Sequence, residues 1–162
     1  MKYLSNLCLK LESDEIVKHQ QKKQYMRIEH IGIAVENLIG SNELFAKLLG
    51  VDPYKEETVK SEGVTTSFFQ SGAAKIELLS ADNPSSPIAK FLTKRGEGIH
   101  HIAFEVDDIY AEMKRLEKAG FTLLNAEPKQ GADNKLICFL HPKTTNGVLV
   151  ELCQSIHEPT DL

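Results

Sequence analysis

Apolar positions along the chain fall in short runs separated by polar turns, and the runs alternate between two periods. Ile28 to Val35 is a run of strand length that ends in the polar pair Glu36-Asn37. Ser41 is placed as a helix N-cap, with Asn42 to Leu49 as the helix and Gly50 as its stop. Val59 to Phe69 is rich in β-formers and reads as a strand; a turn at Ser71-Gly72 leads into a further strand, Lys75 to Leu79. A loop over Asp82 to Pro87, a short helix over Ile88 to Thr93 and a turn at Arg95 to Gly98 form a connector. The order then returns. Ile99 to Val106 reads as a strand and Ile109 to Lys118 as a helix stopped by Gly120; Phe121 to Asn125, Lys135 to Leu140 and Gly147 to Cys153 read as strands.

The return is an internal repeat. Setting His101 on His30 (101 − 30 = 71 positions) aligns Ile102 with Ile31, Ala103 with Gly32 and Phe104 with Ile33. It continues with Val106 on Val35, Asp107 on Glu36, Asp108 on Asn37 and Ile109 on Leu38. The simplest architecture is two β-α-β-β-β units in tandem. They occupy about residues 26–82 and 97–155 of one domain spanning 26–155, with a tail over 156–162. Residues 1–25 lie outside the repeat; Leu4, Leu7, Leu11 and Val17 have helical spacing, and the segment reads as a mobile extension or a packing arm.

The repeat carries chemistry. One His opens the apolar run of each half, and each half ends in a strand with one Glu among apolar neighbours: Glu77 in Ile76-Glu77-Leu78 and Glu151 in Val150-Glu151-Leu152. Glu77 follows His30 by 47 residues (77 − 30), and Glu151 follows His101 by 50 (151 − 101). Carboxylates are seldom buried without partners. Pseudo-symmetric halves bring equivalent atoms together at their shared axis, so the expectation is one divalent metal held by His30, Glu77, His101 and Glu151. Imidazole with carboxylate favours zinc, cobalt, manganese, nickel or iron(II) over calcium. His100, next to His101, is expected on the opposite strand face, in a structural or supporting role. His141 is expected at a loop or ligand edge, and His19 and His157 are peripheral.

Composition limits the partners. The 162 residues are 41% hydrophobic and 26% charged with a formal net charge of −4, so no basic field gathers nucleic acid. No apolar run approaches the ~20 residues of a membrane span, and the N-terminus lacks the apolar core of a signal peptide. Three cysteines, Cys8, Cys138 and Cys153, form no C-x-x-C pair, which points to a reducing, cytoplasmic setting.

From Arg27 to Gln154 the chain resembles the vicinal-oxygen-chelate superfamily, which includes the glyoxalases, and within it the methylmalonyl-CoA epimerase family. Ser86-Pro87-Ile88-Ala89-Lys90-Phe91-Leu92, Gly96-Glu97-Gly98-Ile99-His100-His101-Ile102-Ala103, His141-Pro142-Lys143 and Gly147-Val148-Leu149-Val150-Glu151-Leu152 carry the resemblance. It implies an α+β fold whose tandem modules build a curved eight-stranded mixed sheet around a metal site. It implies ligands at His30, His101 and Glu151, and a fourth at Glu77, where some members have Gln. It also implies inversion, through an enolate, at a carbon between a thioester and a carboxylate, with the cation holding the two acyl oxygens. Glu151 matches one of the family's two proposed bases. The other lies, in some members, a few residues after a Gly-Val pair; here Gly63-Val64 is followed by Thr65-Thr66-Ser67, leaving Glu62 and Glu77 as candidates. Lys90, Lys94, Arg95 and Lys143 are candidates to meet coenzyme A phosphates, and a homodimer is expected. A glyoxalase I-type lyase acting on a glutathione hemithioacetal is the main alternative. An iron(II) ring-cleaving dioxygenase fits less well, because a carboxylate at Glu77 would crowd out oxygen.

Since residues 1–25 contain no matched ligand, a chain starting at Met26 is expected to fold and turn over. Circular dichroism and an activity assay check this; a folded but inactive product would move the domain boundary towards the N-terminus.

Overall fold

The computed structural model describes residues 26–156. The N-terminal segment with Cys8 and His19, and His157 in the tail, lie outside the described residues. The first half runs β1 (Arg27–Ala34), α1 (Leu38–Leu49), β2 (Lys55–Val59), β3 (Val64–Ser71) and β4 (Ala74–Ala81). α2 (Pro87–Arg95) connects it to β5 (Gly98–Glu105), α3 (Ile109–Lys118), β6 (Lys129–Gln130), β7 (Lys135–Leu140) and β8 (Val150–Ser155). A 3₁₀ turn over Pro142–Thr144 sits between β7 and β8.

All eight strands belong to one sheet, in the order β2-β3-β4-β1-β5-β8-β7-β6. β1 pairs with β4 in parallel, as β5 does with β8, and β1 and β5 run antiparallel at the centre. Two half-sheets thus meet at one joint, and the α+β tandem architecture follows. The sheet curls. β2 and β6 are its opposite ends, yet Glu62, in the turn after β2, meets Lys129 of β6 at 2.5 Å.

Strand alternation divides the side chains between two faces. On β4, Ile76 and Leu78 pack beneath α1 with Phe69, Phe45 and Leu49, whereas Glu77 and Leu79 turn into the cup. On β7 and β8, Cys138, Leu140 and Leu152 pack against Ile109, Met113 and Leu116 of α3. Ile137, Phe139 and Glu151 turn into the cup. Cys138 and Cys153 are fully buried and unpaired, small core residues as expected.

The connector helix runs longer than the sequence reading, and the last strand begins at Val150 rather than Gly147; three further differences are larger. α1 begins at Leu38 rather than Asn42, because Asn37 and not Ser41 is the cap: its side chain accepts from the Gly40 amide at 3.1 Å. Asp108, which the repeat sets on Asn37, caps α3 in the same way through Ala111. The stretch Val59 to Phe69 is a hairpin, not one strand; Gly63, at φ 60°, turns β2 into β3. Phe121 to Asn125 forms only an isolated bridge, Leu123 to Leu140, and the outer strand is instead β6.

Removing the Asn37 cap by Asn37→Ala is expected to cost about 1 kcal/mol of stability, whereas Ser41→Ala is expected to be near neutral. Urea unfolding monitored by circular dichroism distinguishes the two.

Candidate active site

The central pairing brings the two histidines together. Gly32 of β1 faces His101 of β5, and His30 faces Ala103. These pairs exchange under the 71-residue offset, so the pseudo-two-fold axis passes between them. The His30 and His101 Nε2 atoms lie 2.9 Å apart, with the rings edge-on at 83°. Parallel pairing sets Glu77 beside Gly32 and Glu151 beside Ala103. Glu77 Oε2 lies 3.2 Å from His30 Nε2 and 3.5 Å from His101 Nε2. Glu151 lies 3.9 Å and 3.6 Å from the same two atoms. None of the four residues is more than 6% exposed.

Two bulges complete the arrangement. Between Ile28 and His30, β1 spends one residue more than β5, and the extra residue is Glu29. Between Ile99 and His101, β5 spends one more than β1, and the extra residue is His100. Glu29 and His100 are equivalents under the repeat. Each bulge breaks alternation, so two successive side chains reach the same side. This corrects the placement of His100: it does not point away but lines the cup, with its Nδ1 3.0 Å from His101 Nδ1 and its ring against Phe91. Glu29 was missed, because strand alternation alone sends it away from His30. Its Oε2 meets His30 Nδ1 at 2.5 Å, and its Oε1 meets Lys75 Nζ at 2.5 Å and Lys135 Nζ at 3.1 Å. The signal available was its alignment with His100 in the repeat.

Gly32 was also missed as a site residue. A Cβ added there would fall 2.3 Å from His101 Cε1. Thr66, in the stretch after Gly63-Val64, is fully buried and donates its hydroxyl to Glu77 Oε1 at 2.8 Å. Glu77 therefore has one oxygen committed to Thr66 and the other facing the histidines.

The electrostatics are those of a cation site. Burial alone would lower the His30 pKa, but hydrogen bonds to Glu29 and Glu77 and the charges of Glu77 and Glu151 push it up to about 10. Glu77 is strongly buried, yet His101 and His30 hold it below the usual carboxylate range. Burial raises Glu151 despite the two histidines. Burial, then the neighbouring His101, pulls His100 down to about 4. The site thus draws positive charge into a buried cleft. His30, Glu77 and His101 present ligand atoms within 4.8 Å of one another, a set able to hold a divalent ion. Such an ion must displace the proton from His30, so its binding strengthens as pH rises.

The four residues open onto a cavity of about 300 Å³ whose walls include Val64, Phe68, Leu79, Ile137, Phe139 and Leu149. Glu62 lies at this cavity, as expected, but is paired with Lys129. Lys129 and Lys135 are its lining cations among the described residues. Lys90, Lys94, Arg95 and Lys143 are exposed and outside the lining. His141 opens the 3₁₀ turn, accepting from the Lys143 amide at 3.1 Å.

Residues 29–139 match the Glyoxalase/Bleomycin resistance protein/Dioxygenase superfamily. The chain belongs to this superfamily. An ethylmalonyl-CoA/methylmalonyl-CoA epimerase from Cereibacter sphaeroides is 44% identical over 79% of this chain and 97% of its own length. The solved methylmalonyl-CoA epimerase from Mycobacterium tuberculosis superposes with a TM-score of 0.80 at 34% identity, covering 87% of this chain and 96% of that one. A Streptomyces coelicolor methylmalonyl-CoA epimerase variant, solved with 2-nitronate-propionyl-CoA, gives 0.79 at 34% identity over 83% of this chain and all of that one. These relatives place the chain in the epimerase family of the superfamily. No described helix is long and apolar enough to cross a membrane.

Gly32→Ala is expected to displace the His101 ring and weaken cobalt(II) binding at least tenfold, with the fold retained. Calorimetric titration with cobalt, wild type against variant, measures it; equal affinity would mean that the ring has slack the geometry denies.

Proposed function

We propose that this chain is a methylmalonyl-CoA epimerase, an isomerase that inverts C2 of the acyl group. The observation that carries this is the dry His30–Glu77–His101 cluster with Glu151 beside it, at the base of a largely apolar cavity, in a chain whose relatives carry that activity. One divalent ion, cobalt, manganese, zinc or nickel, would be held by His30, Glu77 and His101, with Glu151 as fourth ligand. When bound, it supplies Lewis acidity towards the acyl oxygens and so acidifies the C2 proton.

The chain's own groups move the proton. Glu151 is the stronger base of the two carboxylates, since burial raises it and its oxygens face only the two imidazoles at 3.6 to 3.9 Å. It takes the C2 proton and leaves the substrate as an enolate. Inversion needs a second group on the opposite face. Glu77, contributed by the other half, is assigned that role; although buried, it is held below the usual carboxylate range by His101 and His30, which makes it the weaker base. The apolar cavity walls exclude water, which strengthens these interactions and limits loss of the enolate proton site to solvent.

The adenosine and pantetheine portion is too large for a cavity of about 300 Å³ and extends outside it. Lys90, Lys94 and Arg95 on the outer length of α2, with Lys143, meet the phosphates there. Ile88 on the same helix lines the cavity, which supports an approach of the coenzyme along α2. A homodimer fits the exposed Ile39, Leu44 and Leu48 of α1, and two buried unpaired cysteines fit the cytoplasm.

Deuterium wash-in at C2 of methylmalonyl-CoA tests the assignment. Exchange is expected with wild type, abolished by chelator, and no turnover is expected of methylglyoxal with glutathione. Glu151→Gln is expected to keep most of its metal, lose at least ~100-fold in rate and unbalance exchange between the two epimers. Wild-type turnover by this variant would remove Glu151 from proton transfer.

A further inference from the structure

The two histidines are alike in the repeat but not in what holds them. His101 Nδ1 meets another imidazole, His100 Nδ1, at 3.0 Å. His30 Nδ1 meets a carboxylate, Glu29, at 2.5 Å, and that carboxylate is the start of a charged line leading out of the site. Glu29 Oε1 receives Lys75 Nζ at 2.5 Å, and Lys75 Nζ also meets Asp133 Oδ2 at 2.7 Å. Asp133 belongs to the β6–β7 turn of the second half. The other three members belong to β1 and β4 of the first. Asp133 is held at φ 51°, an uncommon backbone for a residue with a side chain, and its amide donates to Glu57 Oε2 of β2 at 3.1 Å. Lys55 of β2 meets its other carboxylate oxygen at 3.2 Å. The line has no counterpart in the other half: matching Glu77 to Glu151 (an offset of 74) sets Lys75 on Leu149.

We propose that Asp133, Lys75 and Glu29 form a positioning chain for His30, so that a loop of the second half fixes a metal ligand of the first. The inference rests on the cation site put forward above. A carboxylate at Nδ1 keeps the proton on that nitrogen and leaves the Nε2 lone pair for the cation; it also sets the ring plane and raises the basicity of the ligand. Lys75 and Lys135 meet Glu29 where it is 7% exposed, at 2.5 Å and 3.1 Å, and so hold its carboxylate in place. Asp133 in turn holds Lys75 between two anions instead of letting it swing to solvent. His30 is therefore the stiffer and more strongly donating imidazole, and its geometry depends on the curl of the sheet, since Asp133 reaches it only across the mouth.

Cobalt(II) binding to the intact chain, followed by calorimetry and by the visible d–d spectrum, tests this without turnover. Glu29→Gln is expected to weaken cobalt about 10- to 100-fold and to shift the d–d bands. Asp133→Asn, at the rim and away from the cation, is expected to shift the affinity and the spectrum in the same direction by a smaller amount. Glu62→Gln cuts a separate contact across the mouth, that with Lys129, and is expected to leave both unchanged. Should Glu29→Gln bind cobalt with wild-type affinity and spectrum, Glu29 only ties strands together and the proposal fails. If Glu29→Gln does not fold, Asp133→Asn decides: wild-type affinity and spectrum there overturn the chain. Wild-type protein that takes up no cobalt overturns the cation site itself, a result distinct from either.

Discussion

The antiparallel joint of β1 and β5 governs the rest of the molecule. It is the backbone contact between the two half-sheets, and both imidazoles stand on it. Each half alone offers one His and one Glu, too few ligands for a firm cation site. Pairing Gly32 with His101 and His30 with Ala103 superimposes the two incomplete sets on one point. A slip of one residue in this register would turn one histidine to the face opposite the other. The buried polar groups and the fold are therefore specified by the same hydrogen bonds.

That joint carries a concentration of charge that a dry interior would ordinarily reject. Glu29, Glu77 and Glu151 are all buried, beside His30 and His101. Lys75 and Lys135 answer Glu29, and Thr66 answers one oxygen of Glu77. What is left uncompensated faces the two Nε2 atoms. That arrangement suits a positive charge at this point, whether a protonated imidazole or a bound cation. Removing any single anion or cation from such a set leaves its partners unpaired. The arrangement is thus costly to vary piece by piece.

The repeat was legible in the sequence because an offset of 71 residues preserves the surroundings of His30 and His101, while Glu77 and Glu151 recur at an offset of 74 on the strand that pairs in parallel with each. The four side chains meet where the two halves join. The tandem β-α-β-β-β order was legible for the same reason. What escaped depended on departures from regular geometry. Alternation sent Glu29 and His100 to the wrong face, since a bulge leaves no mark in hydrophobic periodicity. Asn37 lost the cap to Ser41 because both are good caps and the apolar spacing of α1 is weak; its match to Asp108 held the answer. Gly63 was hidden in a run of β-formers. Gly32 reads as an ordinary small residue until the His101 ring is seen above it. Lys129 and Asp133 reach the cup only because the sheet curls, a tertiary property with no local signature.

The division of the ligands between two half-sheets bears on the order of events during synthesis. β1 to β4 emerge first and can pair among themselves, since β1 takes β4 as its parallel neighbour within the same half. At that stage His30 and Glu77 are in place, but the exposed edge of β1 still lacks β5. A cation at the proposed site would be held firmly only once the second half has been made and docked. It would thus read out completed assembly: a chain stalled halfway, or with its halves mispaired, would hold it weakly and gain little stability from it.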